Sequence, residues 1–319
     1  MMALQEFPAW WLVALWAGMG LLWGSFVNVL IYRMPRDKNI AWPGSHCPTC
    51  GAPVRAYDNV PVLSFLMLRG RTRCCKKPLS MRYPLIELLC GAWGLLVAYG
   101  VPVHGPRDVT LGLAMARDAA VLSLGLLLVA QVFIDLDFMI LMPSLNAIIC
   151  AVGFVTVPLR SLSWMDAILG SLGLPLALFA FSWSYSKLRG LGGMGIGGGD
   201  FHLLLALGPW TGVYGSVFVL FAGAVQSVIA ALAIRLTLGK IPLPAGVREQ
   251  IAELRALADA GDEEAKKELA EDMVASVDEG SFFGAALPLG PFLIMAAMEW
   301  LCFRADILAW GPILDAGGL

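Results

Sequence analysis

The sequence predicts an all-α polytopic membrane protein of about eight transmembrane helices, and three observations predict it. The 319 residues are 58% hydrophobic and 14% charged, with a mean hydropathy of +0.74. That is too apolar for a soluble chain of this length. Apolar runs long enough to cross a bilayer recur along the whole chain, and none shows the period-two alternation of a β-barrel. The net charge of -2 leaves no broad basic field for nucleic acid. The lipid bilayer is the expected partner.

Residues 10–31 form the first expected span, about 33 Å long at 1.5 Å per residue. The run enters Tyr32-Arg33 without a small-residue cleavage site, so it reads as a span and not as a cleaved signal. Residues 33–83 carry ten Lys or Arg against two acids, Asp37 and Asp58. That excess places the segment in the cytoplasm and the N-terminus on the other side. Residues 84–101 lead out. Residues 111–134 return, with Arg117 and Asp118 as a local pair, and deliver Asp135 and Asp137 to the cytoplasmic boundary. Pro143 opens the next span, as proline often does at a helix start. Residues 166–185 lead back to Lys187 and Arg189. A glycine run then leads to Asp200, and residues 200–210 are too short for a full span at about 16 Å. Residues 215–234 cross again. Residues 246–279, with eleven acids from Glu249 to Glu279, read as one or two charged cytoplasmic helices. Residues 282–303 are the last span.

The sharpest chemical signal is Gly192-Gly193-Met194-Gly195-Ile196-Gly197-Gly198-Gly199-Asp200. Glycines allow close backbone approach, and a carboxylate opening an apolar run marks a functional site. Span counting puts Asp135 on the same membrane face. Two close carboxylates divide one proton between them. One can then activate water while the other protonates a leaving amine. Asp137 reads as an interfacial acid at a helix end.

Four of the seven cysteines cluster as Cys47, Cys50, Cys74 and Cys75. A C-x-x-C pair and a second pair downstream suit a tetrahedral zinc site that folds a small cytoplasmic domain. Free thiols are the other reading, and His46 is a candidate fourth ligand. Cys90, Cys150 and Cys302 sit singly in apolar runs as packing residues.

Four blocks together resemble the type IV prepilin peptidases, membrane aspartic proteases of the GxGD type. They are Gly24-Ser25-Phe26-Val27-Asn28-Val29-Leu30-Ile31-Tyr32-Arg33, then His46-Cys47-Pro48-Thr49-Cys50 with Tyr57-Asp58-Asn59-Val60-Pro61-Val62-Leu63-Ser64, then Arg82-Tyr83-Pro84-Leu85-Ile86-Glu87-Leu88-Leu89, and Gly197-Gly198-Gly199-Asp200-Phe201. The resemblance implies that the catalytic aspartates are Asp135 and Asp200. It implies a prepilin or pseudopilin substrate cut after glycine at the cytoplasmic face of the bacterial inner membrane. It also implies N-methylation of the new terminus with S-adenosylmethionine, a step associated with residues 34–83. Thr72 stands where the family has its third cysteine, Met142-Pro143-Ser144 replaces a Leu-Pro-Asp, and His202 replaces a common lysine.

The expected organisation is a first span at 1–33, a cytoplasmic basic and cysteine-bearing domain at 34–83, and a peptidase core at 84–239. A charged insert at 240–281 and a last span with the C-terminus at 282–319 follow. A peptidase without methyl transfer is the nearest alternative function. A non-catalytic membrane scaffold or transporter is the alternative from another class.

Overall fold

Helices account for the regular structure in the computed structural model, which describes residues 9–47, 49–100, 110–189, 198–239, 243–271 and 287–309. The first pair is α1, Ala9–Arg33, and α3, Arg82–Ala98, which run antiparallel. Gly24 faces the Cys90 side chain and the Glu87 Cα, while Gly94 faces the Trp16 carbonyl. Small residues let two helix backbones approach within a bilayer.

Between these helices lies the cysteine-bearing segment, with a 3-10 turn at Ala56–Asn59 and a short helix α2, Leu63–Met67. The central span is α4, Leu111–Phe138, whose Leu124, Leu128 and Ile134 are fully buried. The Trp93 indole of α3 donates to the Val121 carbonyl of α4 at 2.9 Å. Arg117 and Asp118 pair at 3.1 Å near its start, as expected. The shorter α5, Pro143–Val155, and then α6, Trp164–Arg189, follow.

Asp200 lies in the first turn of α7, Gly198–Leu238. The expected short segment and the span after it run on as one long helix broken at Gly212, where φ is 69°. Only glycine takes that conformation cheaply. The freed Val213 N–H donates to the Asp166 carboxylate of α6 at 3.0 Å. The charged insert forms two helices, α8, Ala245–Asp259, and α9, Glu263–Glu271. The last helix, α10, runs Gly290–Ala309. It starts later than the sequence suggested, because Pro288 and Pro291 put its first turn at Gly290.

Counting the two halves of α7 separately, the described residues hold eight apolar helical segments: α1, α3, α4, α5, α6, the α7 halves and α10. Large apolar side chains such as Leu176, Phe181, Val228, Ile229 and Leu236 are exposed on α6 and α7. A bilayer accounts for such a belt, where water would not. The protein is therefore a multi-pass membrane protein.

Candidate functional site

The carboxyl end of α4 is fastened by one buried amide. Gln131, fully buried, accepts from the Met142 N–H at 2.9 Å and donates to the Met142 carbonyl at 3.1 Å and to Asn146 Oδ1 at 2.8 Å. These bonds fold residues 139–142 back over the helix. Met139 takes the left-handed conformation that ends it.

Within that last stretch Asp135 is 4% exposed. The Gly290 N–H at the start of α10 donates to its carboxylate. A helix amino end suits a carboxylate, since its free N–H groups and dipole both favour negative charge. Asp200, half-buried at the start of α7, is close enough for its charge to act on Asp135. The structure thus brings the two sequence-predicted acids together.

Leu141 holds this corner. Any Cβ on Gly199 would meet the Leu141 Cβ at 3.2 Å, and one on Gly290 would meet Leu141 Cδ2 at 2.9 Å. Of the two described glycines before Asp200, Gly199 packs against Leu141, just past the end of α4. Residues 192–197 of the glycine run lie outside the described residues. Asp137, two residues from Asp135, is bound to Arg82 at 2.7 Å, and the same guanidinium donates to the Phe133 carbonyl at 3.1 Å. That engagement removes Asp137 from the site and fits its reading as an interfacial acid. His202 is exposed. Gly290 was not singled out by sequence, although Gly290-Pro291 at a helix start is a local signal for an N-terminus.

The cysteine cluster is built from two similar turns. In the first, the Cys47 N–H donates to the Ala52 carbonyl at 2.8 Å and the Gly51 N–H to the Cys47 carbonyl at 2.9 Å. The second repeats this: Thr72 N–H to Lys77 carbonyl at 2.9 Å, and Lys76 N–H to Thr72 carbonyl at 3.1 Å. Thr72 is thus the structural counterpart of Cys47, and Cys75 that of Cys50. The missing thiol comes from Cys74, one residue earlier than Cys75.

All four sulfurs lie within 4.8 Å of one another, with Cys47–Cys75 at 3.8 Å and Cys50–Cys74 at 3.3 Å. Tetrahedral zinc with thiolates at about 2.3 Å requires sulfurs about 3.8 Å apart, so the donor set fits that ion. His46 is not among the clustered donors; its Nδ1 lies 3.1 Å from the Gly44 carbonyl. The N–H groups of Cys50 and Thr49 bring the Cys47 thiol down to about 6. The Ala52 N–H lowers Cys50, but the neighbouring Cys74 and Cys47 thiols outweigh it and push Cys50 up to about 12. The Thr72 hydroxyl, 3.2 Å from Cys75, and then the Lys77 N–H lower Cys75. Two thiols poised toward thiolate are what a metal ligand set needs.

Between this segment and the helices lies a cavity of about 220 Å³, lined among others by Asn28 of α1, Asp58, Phe65 of α2, and Tyr83 and Glu87 of α3. Glu87 is 9% exposed and accepts the Val62 N–H at 2.7 Å. The Asn28 amide donates to the Tyr83 carbonyl at 3.3 Å. Arg82, next to Tyr83, reaches Asp137, so cavity and carboxylate pair sit at one end of the bundle.

Comparison with known proteins places the chain in a family. The family model described as the bacterial peptidase A24 N-terminal domain matches residues 19–101, and the one described as the type IV leader peptidase family matches residues 121–232. A prepilin leader peptidase/N-methyltransferase of Neisseria gonorrhoeae is 34% identical over 258 residues, covering 72% of this chain and 84% of its own. Its namesake in Klebsiella pneumoniae is 38% identical over 204 residues, covering 60% and 82%. A third, from Dichelobacter nodosus, is 32% identical over 254 residues, covering 71% and 84%. No solved structure matches the chain.

Proposed function

The chain belongs to the type IV leader peptidase family, and we propose that it removes the leader of a type IV prepilin or pseudopilin with Asp135 and Asp200 and then N-methylates the exposed terminus. The observation that carries the reading is that two carboxylates, from α4 and α7, lie within electrostatic reach of each other at the bundle end that bears the basic segment. Asp137, the other acid at the end of α4, is held by Arg82.

The ionised member of the pair takes a proton from water, and the resulting hydroxide attacks the carbonyl carbon of the leader's last glycine. The protonated member gives its proton to the departing amine. No acyl-enzyme forms. Gly290 orients Asp135 throughout, and Leu141 keeps the two helices in register. The positive-inside rule supports a cytoplasmic-facing site in the bacterial inner membrane, because the cationic segment 34–83 joins this same end.

For the second step, S-adenosylmethionine supplies an electrophilic methyl group. The neutral terminal amine forms the new C–N bond as the C–S bond breaks, the electron pair stays on sulfur, and the amine's proton leaves to water. Segment 34–83 serves this step, with zinc held by Cys47, Cys50, Cys74 and Cys75 as its structural staple. The remaining division is a peptidase core at 84–239, a charged insert at 240–281 and a closing helix region at 282–319.

Mass spectrometry of a prepilin-like peptide with a Gly-Phe junction tests the assignment. The purified protein should release the leader and, given S-adenosylmethionine, add one methyl group to the mature fragment. Cleavage without methylation would leave a peptidase alone. Neither reaction from a folded preparation would favour a scaffold or transporter and refute the proposal.

A further inference from the structure

We propose that the cavity between α1, α3 and the cysteine-bearing segment is the seat of the methyl donor, an adenosyl sulfonium, with Glu87 facing its cationic part. The inference rests on the methyltransferase reading above and adds the place and the residues.

Charge comes first. Glu87 is held only by neutral donors, the Val62 N–H and the Ser25 hydroxyl. Among the described residues no cationic side chain pairs with it. Arg33 also lines the cavity, but its guanidinium is spent on the carbonyls of Asn39, Ile40, Pro43 and Gly44 at 2.6 to 3.4 Å. Asp58 is matched in turn by Arg73 at 2.7 Å. The uncompensated charge in the cavity is therefore negative. A buried carboxylate of this kind is best satisfied by a cation.

Shape adds the second half. Phe65 and Tyr83 offer aromatic surface on which a flat base can stack, and which also attracts a cation. Asn28 and Asn59 supply amides for the sugar hydroxyls or the amino-acid end. S-adenosylmethionine joins a flat base, a sulfonium and an ammonium in one molecule. A phosphorylated nucleotide would bring negative charge to Glu87 and is disfavoured. The position is also apt. Tyr83 adjoins Arg82, which is bound to the end of α4 beside Asp135, so a freshly cut terminus has little distance to travel.

Equilibrium dialysis of the full chain in detergent with radiolabelled S-adenosylmethionine tests the proposal. The wild type should bind, Glu87→Gln should bind about tenfold more weakly or worse, and the exposed Glu253→Gln should match the wild type. The neutral analogue methylthioadenosine should bind Glu87→Gln and wild type alike, and ATP should not compete. Ultraviolet cross-linking of the methyl-labelled donor to the wild type, which avoids any folding defect of the variant, should place the label between residues 58 and 87. Equal binding by Glu87→Gln with label elsewhere would overturn this assignment while leaving methyl transfer intact. Failure of the wild type to bind the donor at all would remove the methyltransferase reading itself. Loss of mature-peptide binding in Glu87→Gln with donor binding unchanged would give the cavity to the acceptor amine and also overturn the proposal.

Discussion

Replacing Gly290 by alanine should disable peptide cleavage without unfolding the protein. A Cβ at Gly290 overlaps Asp135 Oδ2 by about 1 Å relative to the 3.4 Å at which ordinary contact begins, and it lies 2.9 Å from Leu141 Cδ2. The carboxylate can yield, because it ends a side chain, but yielding takes it off the Gly290 N–H and out of line with Asp200. A displacement of about 1 Å at reacting groups costs on the order of 100-fold in rate, or about 2.7 kcal/mol of barrier. The assay is kcat for leader release from a prepilin-like peptide, beside methylation of a pre-cut peptide and a melting curve. Cleavage should fall about 100-fold while methylation and melting stay near wild type. Gly112→Ala, on α4 with open space around it, should cleave normally. Undiminished cleavage by Gly290→Ala would refute the claim that α10 positions Asp135.

Three further outcomes are expected. Gln131→Ala removes three hydrogen bonds that fasten the α4–α5 turn and should cost about 2 kcal/mol at the roughly 0.6 kcal/mol typical of such bonds in membranes; an unchanged melting temperature would contradict it. Cys74→Ser should strip zinc on dialysis against a chelator, and adding Thr72→Cys should restore retention by completing the second turn; a metal-retaining Cys74→Ser would show the ligand set to be wrong. The Arg73 guanidinium, first through its hydrogen bonds, holds Asp58 below the ordinary carboxylate range. A depressed folded pKa means stabilisation present above the unfolded value of about 3.9 and lost as pH falls through the folded one. The melting gap between wild type and Asp58→Asn should therefore be full at neutral pH and close below about pH 4, and a gap that widens with acid would reverse the sign of the argument.

How legible the molecule was depends on the range of each contact. The spans were readable because hydropathy and cationic bias are local properties of the chain. They sufficed to put Asp135 and Asp200 on one face. The grip on Asp135 by Gly290 was not readable, since α10 lies far along the chain and nothing in its own pattern names its partner. Leu141 was hidden for the same reason: an aliphatic residue in a turn looks like any other until two glycines close on it. Cys74-Cys75 is not a second C-x-x-C pair. Only the matching backbone turns at Cys47 and Thr72 reveal why both sulfurs reach the cluster. Three of the four quoted blocks line the cavity, but its existence was not readable, because they lie far apart along the chain and meet only when α1 and α3 pack with the segment between them.

The most direct test of the carboxylate pair is to follow both reactions in Asp135→Asn and Asp200→Asn. Asparagine keeps the size of each side chain but can neither accept water's proton nor supply one to the amine. Each variant should leave the full-length prepilin-like peptide uncut, yet methylate a pre-cut peptide at the wild-type rate, because the donor cavity lies apart from the pair. Leader release by either variant at a rate near wild type would contradict the account.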